Sequence, residues 1–227
     1  MATAETSNAP KECLRKFNFS HSEDAEPLSV VIREVLHPSY GLYTWACAPV
    51  LAQFIWYHRN IFSGSRVLEL GCGTALPGII AARAGANVVL TDSILLPRIL
   101  KCAEKNVELN SVGNCTKVAG LSWGIISPTL KTIGTPLDYI LGADCFYDPA
   151  VFEEILVTVS YLIGLNPNAQ FLTTYQERSS DWTLEVLLNK WELQCTQISL
   201  DTFGAGAVLA NLKTPSSHSI HMLKISR

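Results

Sequence analysis

Short apolar runs separated by polar or glycine-containing breaks recur along this chain. Val67, Leu68 and Leu70 form one run, Asn87 to Leu90 a second, Cys115 to Val118 a third, Leu137 to Ala143 a fourth and Ala169 to Tyr175 a fifth. Runs this short and this apolar predict strands of a parallel sheet covered on both faces. Helical spacing fills the gaps. Val50, Leu51, Phe54, Ile55 and Tyr57 mark one helix, with Thr44 as its expected cap. A small-residue helix over 78–84 closes at Gly85, and a third over 95–110 carries Leu96, Ile99, Leu100, Ala103, Val107 and Leu109. Asp148 and Pro149 open a fourth that runs to Leu165. This alternation predicts an α/β fold, a doubly wound and mostly parallel sheet with helices on both faces.

The ends of the chain read differently. Residues 1 to about 12 are small and polar and predict a disordered tail. Phe17 and Phe19 alternate with polar neighbours, and Val30, Val31 and Ile32 form a second run. A β-hairpin turning at Asp24, Ala25, Glu26 and Pro27 follows, so that 1–36 is a short N-terminal extension and 37–227 the main domain. Beyond Tyr175 the pattern predicts a helix over 182–189, a strand over 191–199, a loop over 201–215 and a last strand over 218–225. His218 and His221 are three apart on that strand, so they face opposite ways, and no metal site is expected.

The candidate chemistry begins at Arg66 to Pro77, RVLELGCGTALP. A strand here turns at Gly71, Cys72 and Gly73 into a helix that Thr74 is expected to cap. Such a turn aims backbone N–H groups and a helix dipole at a ligand, and the glycines permit close approach. The dinucleotide fingerprint requires a third glycine where Leu76 stands. Asp92, 21 residues past Gly71, ends the second strand where a carboxylate grips a ribose diol, although a helix-capping role fits it too. Ala143 to Tyr147 should face the same crevice from the central strand. Trp45 and Trp123 suit either a cofactor pocket or the core.

Composition narrows the partners. Apolar residues make up 48% and charged residues 16%, which excludes a disordered chain. A net charge of −3 and no basic, aromatic-laced strip argue against direct nucleic-acid binding. The uncharged stretch 36–58 is long enough to span a bilayer, but Pro38, Gly41, Pro49 and Gln53 interrupt it, so no membrane span is expected. Seven scattered cysteines without a C-x-x-C pair, and no signal-peptide pattern, predict a reducing intracellular setting.

Taken together, Gly41 to Trp45, VLELGCGTALPG (67–78), Thr91-Asp92, Asn106 with Asn110, LSWG (121–124) and GADCFYD (142–148) resemble the seven-stranded class I S-adenosylmethionine-dependent methyltransferases. Within them the chain is similar to protein methyltransferase family sixteen, a lysine-methyltransferase-like group, and to a branch of it associated with arginine methylation on histones. The resemblance implies a Rossmann-like seven-stranded sheet and S-adenosylmethionine as cofactor. Glu69, Gly71, Cys72, Gly73, Asp92, Trp45, Trp123 and Ala143 would then form the cofactor pocket. Asp144 and Tyr147, from the family's D-x-x-Y motif, would serve the acceptor, with a purely structural Asp144 as the competing role. A protein substrate, possibly a histone, a monomeric state and a nuclear and cytoplasmic location follow as expectations. A dehydrogenase on the same fold and a non-catalytic cofactor-binding adaptor are the other classes the motifs admit.

Overall fold

The computed structural model describes residues 11–36, 40–179, 183–212 and 219–227. The expected tail (1–10), Trp182 and His218 lie outside the described residues. The chain opens with an antiparallel hairpin, β1 (Lys11–Phe19) and β2 (Leu28–Leu36), which forms its own two-stranded sheet. The expected hairpin is therefore present but longer, since Lys11 and Glu12 belong to β1 rather than to a tail. Its turn is fixed by Asp24, whose carboxylate accepts the His21 N–H at 2.9 Å, the Trp56 indole N–H at 2.9 Å and an Arg59 guanidinium N–H at 2.9 Å.

Then follow α1 (Cys47–Tyr57), α2 (Arg59–Phe62), β3 (Arg66–Leu70), α3 (Leu76–Arg83), β4 (Asn87–Asp92), α4 (Pro97–Leu109) and β5 (Thr116–Gly120). The second half is α5 (Pro128–Ile133), β6 (Tyr139–Ala143), α6 (Pro149–Leu165), β7 (Gln170–Gln176), α7 (Glu185–Lys190), β8 (Gln194–Ile198), α8 (Ala205–Asn211) and β9 (Ile220–Ser226). The main sheet has seven strands in the order β5-β4-β3-β6-β7-β9-β8. The first five are parallel, and β9 runs antiparallel to both β7 and β8. The Rossmann-like, doubly wound architecture is as expected. The chain winds outward from β3 to β5, then returns to lay β6 against β3. That reversal opens a crevice at the carboxyl ends of β3 and β6, where open α/β sheets bind ligands.

Period-two alternation sorts the strand residues between two cores. Val67, Leu90, Leu141 and Leu172 face α1 and α3, together with Phe17, Phe19, Val30 and Ile32 of the hairpin. Leu68, Leu70, Ile140 and Phe171 face α6, whose Ile155, Leu156, Val159 and Ile163 are fully buried. Among the described residues no helix is long and apolar enough to cross a membrane.

Several local expectations are corrected. Neither Thr44 nor Thr74 caps a helix; their hydroxyls bond one another at 2.8 Å. The helix expected from Leu95 starts at Pro97, because proline favours the first helical turn, and Leu95 is left 82% exposed. The expected loop over 201–215 instead holds a 3₁₀ turn and α8. Gly204, with φ 70°, supplies the left-handed step between them, and Phe203 beside it is fully buried. The unpredicted α5 is capped by Ser127, whose hydroxyl accepts the Leu130 N–H at 3.1 Å. By contrast, Asp148 caps α6 as expected, accepting the Ala150 N–H at 3.0 Å.

Phe171 is fully buried in the middle of the sheet, and Gly142 lies close under its ring. Replacement of Phe171 by Ala should lower unfolding free energy by about 3–5 kcal/mol with an unchanged urea m-value, as read from equilibrium urea titration.

Candidate active site

The crevice is built on the turn after β3. Gly71 and Gly73 have φ of 62° and 51°, which glycine adopts at no steric cost. Space reinforces conformation at both positions. A Cβ on Gly71 would lie 2.7 Å from the Trp123 ring and 3.6 Å from the Cys145 sulfur, and a Cβ on Gly73 would lie 3.2 Å from the Gly41 carbonyl oxygen. Trp123 and Gly71 are thus brought together, and the segment before α1 closes over the turn. Cys72 is buried, its N–H given to the Thr91 carbonyl at 2.8 Å. Cys145 donates to the Leu70 carbonyl at 3.3 Å, beneath the turn.

Asp92 accepts the Gly73 N–H at 2.9 Å on one oxygen and the Ser93 N–H at 2.8 Å on the other. Each oxygen keeps a second acceptor position, which fits a ribose diol. Burial raises the Asp92 pKa, and the two N–H groups oppose it. Glu69 is buried within β3. Its Oε2 accepts the Gly78 N–H at 2.9 Å, while Oε1 is among the few buried side-chain atoms without a partner in the structure. Burial pushes its pKa up to about 8, helped by the nearby Asp92 and opposed by Gly78. A pKa near 8 leaves Glu69 mostly protonated near pH 7, and its bond to Gly78 ties β3 to the start of α3. Ala143 lies half-buried at the end of β6.

On the other side of the crevice, Asp144 sits at φ 57°, a strained left-handed conformation for a residue with a side chain. Its N–H bonds the Thr174 carbonyl at 2.7 Å. Its carboxylate takes both arms of the Arg178 guanidinium, at 2.9 Å on Oδ1 and 2.7 Å on Oδ2, and the Gln176 N–H lies 3.4 Å from Oδ1. Arg178, two residues past β7, is the partner of Asp144 that the sequence reading missed. Its signal was a lone cation just past the carboxyl end of a strand that borders the crevice. Tyr147 is 48% exposed, and partial burial raises its phenol pKa, so it stays protonated near neutral pH. Trp45 is 38% exposed just before α1, its ring edge-on to Tyr43 at 5.5 Å.

A family model described as lysine methyltransferase matches residues 24–185. The histone-arginine methyltransferase METTL23 of Xenopus laevis is 44% identical over 216 residues, which cover 95% of this chain and 92% of that protein. The EEF1A lysine methyltransferase 3 of Xenopus tropicalis is 35% identical over 162 residues, covering 68% and 70% respectively. Among solved structures, a SAM-dependent methyltransferase from Agrobacterium tumefaciens shares the fold with a TM-score of 0.57 at 15% identity, over 87% of this chain and 66% of that one.

The raised Glu69 pKa has a definite sign in stability. The folded carboxyl holds its proton to about 8, whereas the unfolded one releases it near 4.5. Its contribution is complete below the unfolded value and is lost as pH rises through the folded one. The Glu69→Gln variant should lack that decline, giving a flatter profile of urea midpoints between about pH 5 and pH 8 than the wild type.

Proposed function

We propose that this chain, which belongs to the lysine methyltransferase family and is an S-adenosylmethionine-dependent protein methyltransferase, transfers its methyl group to an arginine nitrogen of a histone. The observation that carries the acceptor is the near full-length likeness to a histone-arginine methyltransferase. A nuclear site of action, shared with the cytoplasm, and a monomeric state accompany this reading.

The cofactor site is assigned to the turn at Gly71, Cys72 and Gly73, with Asp92 for the ribose hydroxyls and Trp123, Trp45 and Ala143 as pocket walls. A turn closed to side chains at two glycines, beside a carboxylate with two spare acceptor positions, fits such a ligand. Bound there, S-adenosylmethionine supplies an already activated sulfonium methyl group. The protein's part is then to align the acceptor nitrogen and to exclude water. Glu69 acts indirectly, by holding the start of α3.

Asp144 is assigned to the acceptor. An arginine side chain is planar and always charged, so it needs a carboxylate to orient it, and the attacking nitrogen gives up its proton late, as the N–C bond forms and the S–C bond breaks. Arg178 and Gln176 occupy three acceptor positions of Asp144, and the buried Cys47 thiol also bonds its carboxylate, so an incoming guanidinium would share oxygens already engaged. Arg178 fixes the carboxylate plane through its two-pronged pair. Tyr147 supplies a wall with a protonated hydroxyl at the mouth.

A lysine acceptor is the second reading, favoured by the family's description and by the EEF1A lysine methyltransferase relative. The two separate on product analysis. Radiolabelled transfer to recombinant core histones, followed by acid hydrolysis, should yield methylarginine; methyllysine alone would select the second reading. The Asp144→Asn variant keeps shape while weakening its grip on acceptor and Arg178 alike. It should lower kcat on the order of 100-fold, with the Kd for S-adenosylmethionine little changed. An equal loss of cofactor affinity would move Asp144 into the cofactor site. Asp92→Ala should show the reverse pattern, losing calorimetric binding of S-adenosylmethionine.

A further inference from the structure

The N-terminal hairpin is held to the main domain by two asparagines of one helix. Asn110 Oδ1 accepts the Val31 N–H at 3.1 Å, and its Nδ2 donates to the Val31 carbonyl at 2.8 Å. One helical turn earlier, Asn106 Oδ1 accepts the Arg33 N–H at 2.7 Å, and its Nδ2 donates to the Arg33 carbonyl at 3.1 Å. Each side-chain amide thus mimics a peptide unit and pairs with the free edge of β2 as a neighbouring strand would. The spacing makes this possible: four residues of helix rise about 6 Å, close to the roughly 6.6 Å spanned by alternate residues of a strand.

The two amides differ in their remaining N–H. That of Asn110 returns to its own helix, to the Asn106 carbonyl at 2.8 Å. That of Asn106 crosses to the Thr74 carbonyl at 3.0 Å, at the end of the glycine turn. Asn106 is fully buried, so a lost bond there is not replaced by bulk water. The hairpin reaches the same turn by a second route. Glu34, buried in β2, accepts the Thr44 N–H at 3.2 Å, and the Thr44 hydroxyl meets that of Thr74 at 2.8 Å.

We infer that Asn106 is a positioning residue for the cofactor site, coupling the docked hairpin to the glycine turn, whereas Asn110 only docks the hairpin. The inference rests on the assignment of the cofactor to that turn.

The test compares Asn106→Ala with Asn110→Ala in the full chain. Both variants lose a pair of hairpin bonds, and both should melt at lower temperature. Only Asn106→Ala should weaken calorimetric binding of S-adenosylmethionine, by about ten-fold, with a matching rise in its KM and an unchanged kcat at saturating cofactor. Equal weakening in both variants, or none in Asn106→Ala, overturns the inference. Should Asn106→Ala not fold, the wild type answers by reciprocity, because coupled sites must stabilise one another. Adding S-adenosylmethionine should then slow amide hydrogen exchange in 29–35 as well as in 71–75. Protection confined to the turn overturns the inference, whereas a wild type that binds no S-adenosylmethionine refutes the cofactor assignment instead.

Discussion

The Gly73 N–H donates to the Asp92 carboxylate across 2.9 Å, and that bond joins the ends of two adjacent parallel strands. It forms only because Gly73 adopts a left-handed φ and presses against the Gly41 carbonyl, where a side chain has no room. A carboxylate thereby sits, desolvated but not exhausted, beside a turn whose backbone faces the crevice. Everything else in the first half of the fold serves that geometry. Trp123 covers Gly71, Cys145 supports it from below, and the neutral Glu69 pins the start of α3.

Charge is handled sparingly here. Asp92 is close enough to add to the rise of the Glu69 pKa, and burial already penalises both charged forms. Keeping one of the two protonated removes the repulsion without importing a cation. On the other bank of the crevice the solution is the opposite. Asp144 is matched by a full guanidinium, and the pair spans from β6 to β7. The crevice therefore carries a lone carboxylate, Asp92, at the end of β4 and an ion pair across the ends of β6 and β7.

Much of this was legible in the sequence because it is local. Short continuous apolar runs marked the parallel strands, Gly85 and Asp148 marked helix ends, and the spacing from Gly71 to Asp92 picked out the turn and the carboxylate that meet at the crevice. What escaped was long-range. Thr44 and Thr74 look like caps, yet each hydroxyl spends itself on the other, thirty positions away. Arg178 shows locally only as a cation past a strand end, since the partner that gives it a role lies 34 residues back. Gly204 reads as a loop breaker, but its left-handed φ is what starts α8. Asn106 and Asn110 read as a helix end, and only the docked strand reveals them as surrogate peptide units.

All seven cysteines are free thiols, and their distribution matters to anyone handling the protein. Cys13 and Cys195 are exposed, whereas Cys47, Cys72 and Cys145 are buried around the crevice with pKa values raised first of all by burial. The thiolate is the reactive form, so these three are shielded from electrophiles and oxidants while the fold is closed. Cys72 lies within the glycine turn itself. Its alkylation rate is thus a clock for the opening of the turn, and the native chain carries its own conformational probe without any engineered label.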